Sequence, residues 1–465
     1  MTHNTAVRKV LVSVVLMLMV ALGSVQAQQE SYANVVEALE ADGGFETFLS
    51  LLDAVDVGDV LTGNLTFTVF APTDAALAEL PEYLVDYLMS DLPILERLLS
   101  YHVVPGTYTL AEILAEETLI SFEGGSLSVN GDIRRINGAD LLGSALESEN
   151  GTVFPVDSVM VPEIDLPPVD AFVNFDSILT SGSSTVRPLT DRMKELFELE
   201  GFSGEIVVEE TGTNVGLERF CVNAETDIAN ASRPIRDSEI EACISNGRDP
   251  IGFFVAVDAL AVVVSQENDF LDNITIEDLA RVFTGEYTSW SEVDASYPDE
   301  TIQTFSPGDD SGTFVYFVDS VIQSGLELES DAADEAIISS ETIQFSEDDN
   351  VLVTGVESSP YAIGYFGYAY FIANQDRLRT INIEGITPNE GTAESGEYPL
   401  SRPLFIYSSP DVMRAKPQVA EFIKFYIDNV RDQLGIDEGQ IGYFPVNQDV
   451  LNLDRLEWLA ALQSE

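Results

Sequence analysis

The chain has 465 residues, 45% of them hydrophobic, which is material for more than one packed core. Its 80 Asp and Glu against 21 Lys and Arg leave a formal net charge of −59, a field that repels nucleic acid and anionic lipid and argues against nucleic-acid binding. Only two histidines and two cysteines are present, which leaves little for metal ligation or for a histidine-based hydrolase.

Arg8 and Lys9, the apolar run at residues 10–22 and the small-residue site Val25-Gln26-Ala27 read as a signal peptide over residues 1–27, cleaved after Ala27. The run is shorter than the roughly 20 residues that cross a bilayer, so an uncleaved anchor is the weaker alternative. Neither cysteine lies near the cleavage site to take a lipid. The expected mature protein is therefore secreted, periplasmic or associated with the cell envelope.

Residues 31–162 alternate helical stretches with short β-branched runs, at 66–70 and 152–161 among others, which predicts a compact α+β domain. At Phe67-Thr68-Val69-Phe70-Ala71-Pro72-Thr73-Asp74 a strand runs into a proline turn, and Thr73 or Asp74 is placed to cap the helix that follows. His102, between Tyr101 and Val103, lacks metal-binding or catalytic companions and reads as structural. Pro162, Pro167 and Pro168 lie among acidic residues and mark a short, stiff linker at 163–170.

From residue 171 to 465, strand, loop and helix repeat several times, which predicts an α/β architecture with mainly parallel strands. Ser183-Ser184-Thr185-Val186 precedes a helix expected at 189–199, with Pro188 at its first turn. Similar corners stand at Thr211-Gly212-Thr213-Asn214 and at Ser311-Gly312-Thr313, the latter ahead of a helix expected at 314–322. Unpaired amides at a helix start, together with the helix dipole, favour an anion. Two such corners facing each other across a cleft would enclose a tetrahedral oxyanion. Cys221 and Cys243 bracket the stretch Ser232-Arg233, and an exported chain favours a disulfide between them over two buried thiols.

Taken with Tyr101-His102-Val103-Val104-Pro105-Gly106 and Asn150-Gly151-Thr152, the corner at Thr73 resembles the fasciclin domain over residues 31–162. That resemblance implies a β-wedge with a helical layer, a role in cell adhesion through a cell-surface or matrix ligand, and no catalysis. Phe154 departs from it, standing where many fasciclin domains carry a histidine.

Ser183-Ser184-Thr185-Val186, the run Asn230-Ala231-Ser232-Arg233-Pro234 and Ser311-Gly312-Thr313-Phe314 resemble the binding loops of phosphate ABC-transporter substrate-binding proteins, over nearly all of residues 171–465. The resemblance implies a bilobed, periplasmic-binding-protein-like domain of type II, with lobes at 171–256 plus 370–465 and at 257–369. It implies inorganic phosphate as ligand, an ABC permease as membrane partner, and neither enzymatic activity nor a cofactor nor a metal. The phosphate donors it implies are Ser184, Thr185, Val186, Thr213, Ser232, Arg233, Ser311, Gly312 and Thr313, with Asp227, Asp309 and Asp310 as candidate proton acceptors. Pro307 departs from the pattern, since well-known members carry an arginine there, and Arg233 is then the expected cation. An extracellular adhesion or matrix protein with an anion-sensing or structural binding domain is the alternative.

Overall fold

The computed structural model describes residues 32–131, 133–308, 311–346, 348–434 and 441–463. The expected signal peptide and the candidate acceptors Asp309 and Asp310 lie outside the described residues. The chain divides into two compact units, one of residues 32–80 and 91–160, the other of residues 81–90 with those from Val161 onward.

In the first unit, β1 (Phe67–Pro72) is buried along its whole length, because its residues are apolar on both faces apart from Thr68. It pairs antiparallel with β2 (Val103–Pro105). A second small sheet follows, made of β3 (Thr118–Ile120), β4 (Ser126–Asn130), β5 (Arg135–Ile136) and β6 (Ala139–Asp140). The chain then returns through β7 (Leu146–Ser148) to β8 (Gly151–Val156), which lies parallel to β1 and completes the order β2-β1-β8-β7. Both candidate caps after β1 are used. Thr73 accepts from the Ala76 amide at the start of its own helix, while Asp74 accepts from the amides of Thr47 at 2.8 Å and Glu46 at 3.1 Å. Asp74 thereby caps the helix Glu46–Asp53, whose own N-cap residue, Phe45, has no side-chain acceptor. The Thr47 amide, the strongest influence, holds the Asp74 carboxyl below its ordinary range. His102 is fully buried, with Nδ1 2.9 Å from the Leu98 carbonyl and Nε2 accepting from the Met160 amide at 2.9 Å. Those partners assign the neutral tautomer, and burial pushes its pKa down to about 4.

The second unit is built on a nine-stranded sheet. Its first lobe contains β9 (Ile178–Gly182), β10 (Ile206–Glu210) and β11 (Ile228–Ala231), all parallel, in the order β10-β9-β11. Helices follow each of them, at Arg187–Leu199, Thr213–Cys221 and Asp237–Ser245. The first of these helices buries Leu189, Met193 and Phe197 at four-residue spacing, one stripe facing the core. The next strand, β12 (Ile251–Ser265), runs for 15 residues and is buried nearly throughout. Beyond it come β13 (Asn273–Ile274), β14 (Gln303–Ser306), β15 (Ile343–Phe345) and β16 (Ala362–Gly367), then β17 (Leu378–Thr380), β18 (Asn382–Ile383) and β19 (Ser401–Ser408).

Strands are parallel within the lobes, in β10-β9-β11 and in β15-β14-β16, but antiparallel where the lobes join. There β12 pairs with β19 along Ile251 to Ala259 and with β16 along Leu260 to Val264. This long antiparallel pairing makes the sheet mixed rather than mainly parallel. Pairing also carries the second lobe past the expected boundary at residue 369: β17 bonds to the end of β12 and β18 to β13. Leu378, Ile381 and Ile383 are buried there, so the short strands after β16 keep the chain on the second lobe. After β14 a helix begins at Gly312–Phe317, passes through a π-helical stretch at Val318–Gln323 and ends at Ser324–Leu326. No helix among the described residues is long and apolar enough to cross a membrane.

Candidate functional site

Three loops of the first lobe are stitched together at the carboxyl ends of β9, β10 and β11. The Gly182 carbonyl accepts from the amides of Thr211 at 3.0 Å and Gly212 at 2.9 Å, and the Ser183 amide donates to the Asn230 carbonyl at 2.9 Å. Glycine is required at position 182: its φ is +143°, and a β-carbon would stand 2.0 Å from the Asn230 oxygen. The Ser183 hydroxyl accepts from the Thr185 amide at 3.2 Å, which turns the chain into the helix Arg187–Leu199. Val186 is the N-cap of that helix and makes no side-chain capping bond; the Arg187 amide donates to the Ser183 carbonyl at 3.2 Å, and Pro188 carries no amide.

The second and third loops brace each other. Thr213 Oγ1 accepts from the Ser232 amide at 3.2 Å and lies 3.2 Å from the Ser232 hydroxyl. Arg233 donates to both carboxylate oxygens of Glu239, at 2.7 and 2.9 Å, to Asn214 Oδ1 at 2.6 Å and to the Pro234 carbonyl at 2.9 Å. The Arg233 hydrogen bond in turn holds the Glu239 carboxyl below its ordinary range. A disulfide joins Cys221 to Cys243, linking the two helices that flank this loop.

In the second lobe Ser311 caps the helix Gly312–Phe317 by accepting from the Thr313 amide at 3.2 Å. Gly312 comes close to the first lobe, since a β-carbon there would lie 3.9 Å from Ser184 Oγ. A cavity of about 520 Å³ opens between the lobes, lined by Ser184 and Thr185 on one side and by Gly312 and Thr313 on the other. Tyr443 also lines it and donates from its hydroxyl to the Thr185 carbonyl at 2.8 Å.

The cation of this cavity is Arg402, not Arg233. Arg402 sits on β19 directly opposite Asp258 of β12, and its Nε and Nη2 approach Asp258 Oδ2 at 3.0 and 2.9 Å. Its guanidinium lies over the Tyr316 ring, 3.8 Å from the centroid. Both members of the pair are nearly buried, and both line the cavity. Arg233, expected as a phosphate donor, does not line this cavity, and its guanidinium donates to Glu239 and Asn214. Nor do Val186, Thr213, Ser232 or Ser311 line the cavity; they build and position the loops that do. Asp227 is likewise engaged elsewhere, by Lys416 at 2.7 and 2.9 Å and by the Leu179 amide. One signal for the overlooked pair was present in the sequence: Asp258 is the only charged residue in the 15 residues of β12. A charge in a strand buried on both faces requires a partner and a purpose.

Two lobes joined by long antiparallel strands, each offering a hydroxyl-rich helix start to one cavity, define a two-lobed solute-binding protein. The chain belongs to the PBP superfamily, whose domain matches residues 170–430, in the group that contains SphX and the phosphate-binding protein PstS. It is 35% identical to protein SphX of Synechocystis over 61% of this chain and 82% of that protein. It is 33% identical to the phosphate-binding protein PstS of Staphylococcus haemolyticus over 53% of this chain and 75% of that protein. A possible phosphate-binding protein from Planctomyces limnophilus has a crystal structure similar to this one, with 34% identity and a TM-score of 0.53, covering 62% of this chain and 99% of that one. Residues 43–162 match the fasciclin domain. Membership places the chain among binding proteins rather than enzymes.

Proposed function

We propose that the second unit captures inorganic phosphate between its two lobes, outside the cytoplasm, and delivers it to an ABC permease in the membrane. The observation that carries this reading is the convergence of Ser184 and Thr185 from one lobe with Gly312 and Thr313 from the other, around the buried guanidinium of Arg402. Hydroxyls and helix-start amides donate to the anion's oxygens, and Arg402 adds a charge-assisted donor through Nη1, which has no partner among the described residues. Thr213, Ser232, Arg233 and Ser311 serve the same site by fixing the loops, and the Val186 amide lies at the helix start that faces the ligand. Closure bends the molecule at β12 and β19, the strands shared by the two lobes. The fasciclin unit is read as the adhesion or envelope-retention module of the same exported protein.

Calorimetric titration of the ligand-stripped protein with phosphate and then sulfate tests the central reading. Tight binding of phosphate and none of sulfate is expected. Absence of phosphate binding would leave the alternative, an adhesion protein with a structural binding domain. Retention is tested by fractionating cells that express the chain with and without the fasciclin module; unchanged cell association contradicts that role.

A further inference from the structure

We propose that Tyr443 is a positioning residue of the phosphate site: its hydroxyl holds the carbonyl of Thr185, so that Thr185 turns its own hydroxyl, and no carbonyl oxygen, toward the anion. This rests on the phosphate reading and adds a residue to the same site. Both backbone ends of Thr185 are held. Its amide donates to Ser183 Oγ at 3.2 Å, and its carbonyl accepts from the Tyr443 hydroxyl at 2.8 Å. The Thr185 hydroxyl is the group left without a partner among the described residues, and Thr185 lines the cavity.

The carbonyl needs a donor because the helix does not use it. Where Arg187–Leu199 begins, the Ser183 and Val186 carbonyls accept from the amides of Arg187 and Thr190, whereas the Thr185 carbonyl accepts from Tyr443 alone among the described residues. Thr185 is buried, so an unheld carbonyl there would go without a hydrogen bond or turn its negative end into the cavity. An anion would meet it as a like charge. The Tyr443 hydroxyl has a single proton, which is spent on Thr185, so Tyr443 is not itself a donor to the anion. Burial raises its phenol above the ordinary value, which keeps that proton in place.

The strand shared by the two lobes sets Tyr443 in place. The chain turns at Gly442, which also lines the cavity and whose φ of +83° favours glycine. Phe444 then bridges to β12: its amide donates to the Val257 carbonyl at 2.8 Å, and its carbonyl accepts from the Val257 amide at 3.0 Å. β16 pairs with β12 from Leu260 onward, and Phe444 takes up the pairing at Val257. The Phe444 ring packs against Tyr368, with centroids 4.8 Å apart. Neighbouring residues of a bridged segment face opposite ways, and Tyr443 reaches Thr185. One hydroxyl thereby ties a binding loop of the first lobe to the strand on which closure turns.

Calorimetric titration of the full chain with phosphate, as wild type, Tyr443→Phe and Tyr443→Leu, tests the role together with a carbonyl resonance. Tyr443→Phe keeps the ring and removes the hydroxyl, and phosphate affinity should fall about tenfold, the effect of one buried hydrogen bond. If the ring merely packed, Tyr443→Phe would bind like the wild type and Tyr443→Leu alone would be weak. Isotopic labelling of threonine carbonyl carbons and valine nitrogens selects three peptide bonds for magnetic resonance, those after Thr68, Thr152 and Thr185. In ligand-free Tyr443→Phe the Thr185 carbonyl resonance should move while the other two stay. Wild-type affinity in Tyr443→Phe, or a Thr185 carbonyl that does not move, overturns the assignment and leaves phosphate capture standing. Should Tyr443→Phe fail to fold by circular dichroism, a crystal structure of the wild type with phosphate decides. Thr185 Oγ1 on the anion with Tyr443 on the Thr185 carbonyl is the expected result, and a Tyr443 hydroxyl bonded to the anion itself overturns the assignment. No phosphate binding by the wild type overturns both.

Discussion

The fasciclin unit closes nearly all of its buried polar groups on itself, whereas the binding unit leaves several open beneath its loops. In the first, both nitrogens of His102 have backbone partners, and Asn150 accepts from the Val35 amide at 2.9 Å and donates to the Leu61 carbonyl at 2.7 Å. The Ser121 hydroxyl is the exception there among the described residues. In the second, Thr180 Oγ1, Ser181 Oγ and both side-chain polar atoms of Asn230 are buried on β9 and β11 without a hydrogen-bond partner among the described residues. The Arg402–Asp258 pair likewise leaves Nη1 and Oδ1 unused among the described residues. A buried polar group with all its bonds made belongs to the scaffold; unused capacity beside a cavity marks the place for a ligand or water.

Breaking the open pair should give the largest effect on function. Arg402→Gln removes the cavity's cation and leaves Asp258 unpaired against an anion, so phosphate affinity should fall roughly a thousandfold, about 4 kcal/mol by calorimetry. Gly182→Ala strikes the junction of three loops, where the new methyl overlaps the Asn230 carbonyl at a positive φ. A loss of about 3 kcal/mol in the denaturant unfolding of the second unit is expected, together with weaker binding.

His102 sharpens the contrast from the closed side. It is held neutral in the fold, with its pKa lowered from 6.5 to about 4, so above 6.5 neither state carries the proton and no penalty exists. As pH falls below that value the unfolded chain takes up a proton that the folded unit refuses. Stability is therefore lost progressively down to the folded pKa, by roughly 2 to 3 kcal/mol for this group alone. Urea midpoints of the fasciclin transition between neutrality and mild acid, compared with a His102→Gln variant, isolate the effect, because the carboxylates titrate in both. The smallest effect belongs to Arg233→Ala. Since Arg233 braces loops rather than lining the cavity, phosphate affinity should drop by about tenfold or less, near 1 kcal/mol.

The same contrast explains what was legible in the sequence. Local signals carried the fasciclin corner: a strand, a proline turn and two capping residues lie within eight positions, and each acts on neighbouring backbone. The helix starts at Ser184 and Ser311 were equally local, and the structure brings their loops to one cavity. Arg402 was missed because its role depends on register, 144 residues from Asp258, across the ladder between β12 and β19. Arg233 was given the cation's part because it lies inside a binding-loop pattern; that Glu239, six residues on, would engage it appears only once the helix Asp237–Ser245 is folded. The strands β17 and β18 were not legible for a similar reason, since they are too short to announce themselves and are held by pairing with distant strands.

A crystal structure of the chain grown with phosphate tests the central claim most directly. The account predicts one anion in the cleft, within hydrogen-bonding distance of Ser184 or Thr185, of the Gly312-Thr313 helix start and of Arg402 Nη1. An anion bound instead at Arg233 with Arg402 uninvolved, or an empty cleft at saturating phosphate, would contradict it.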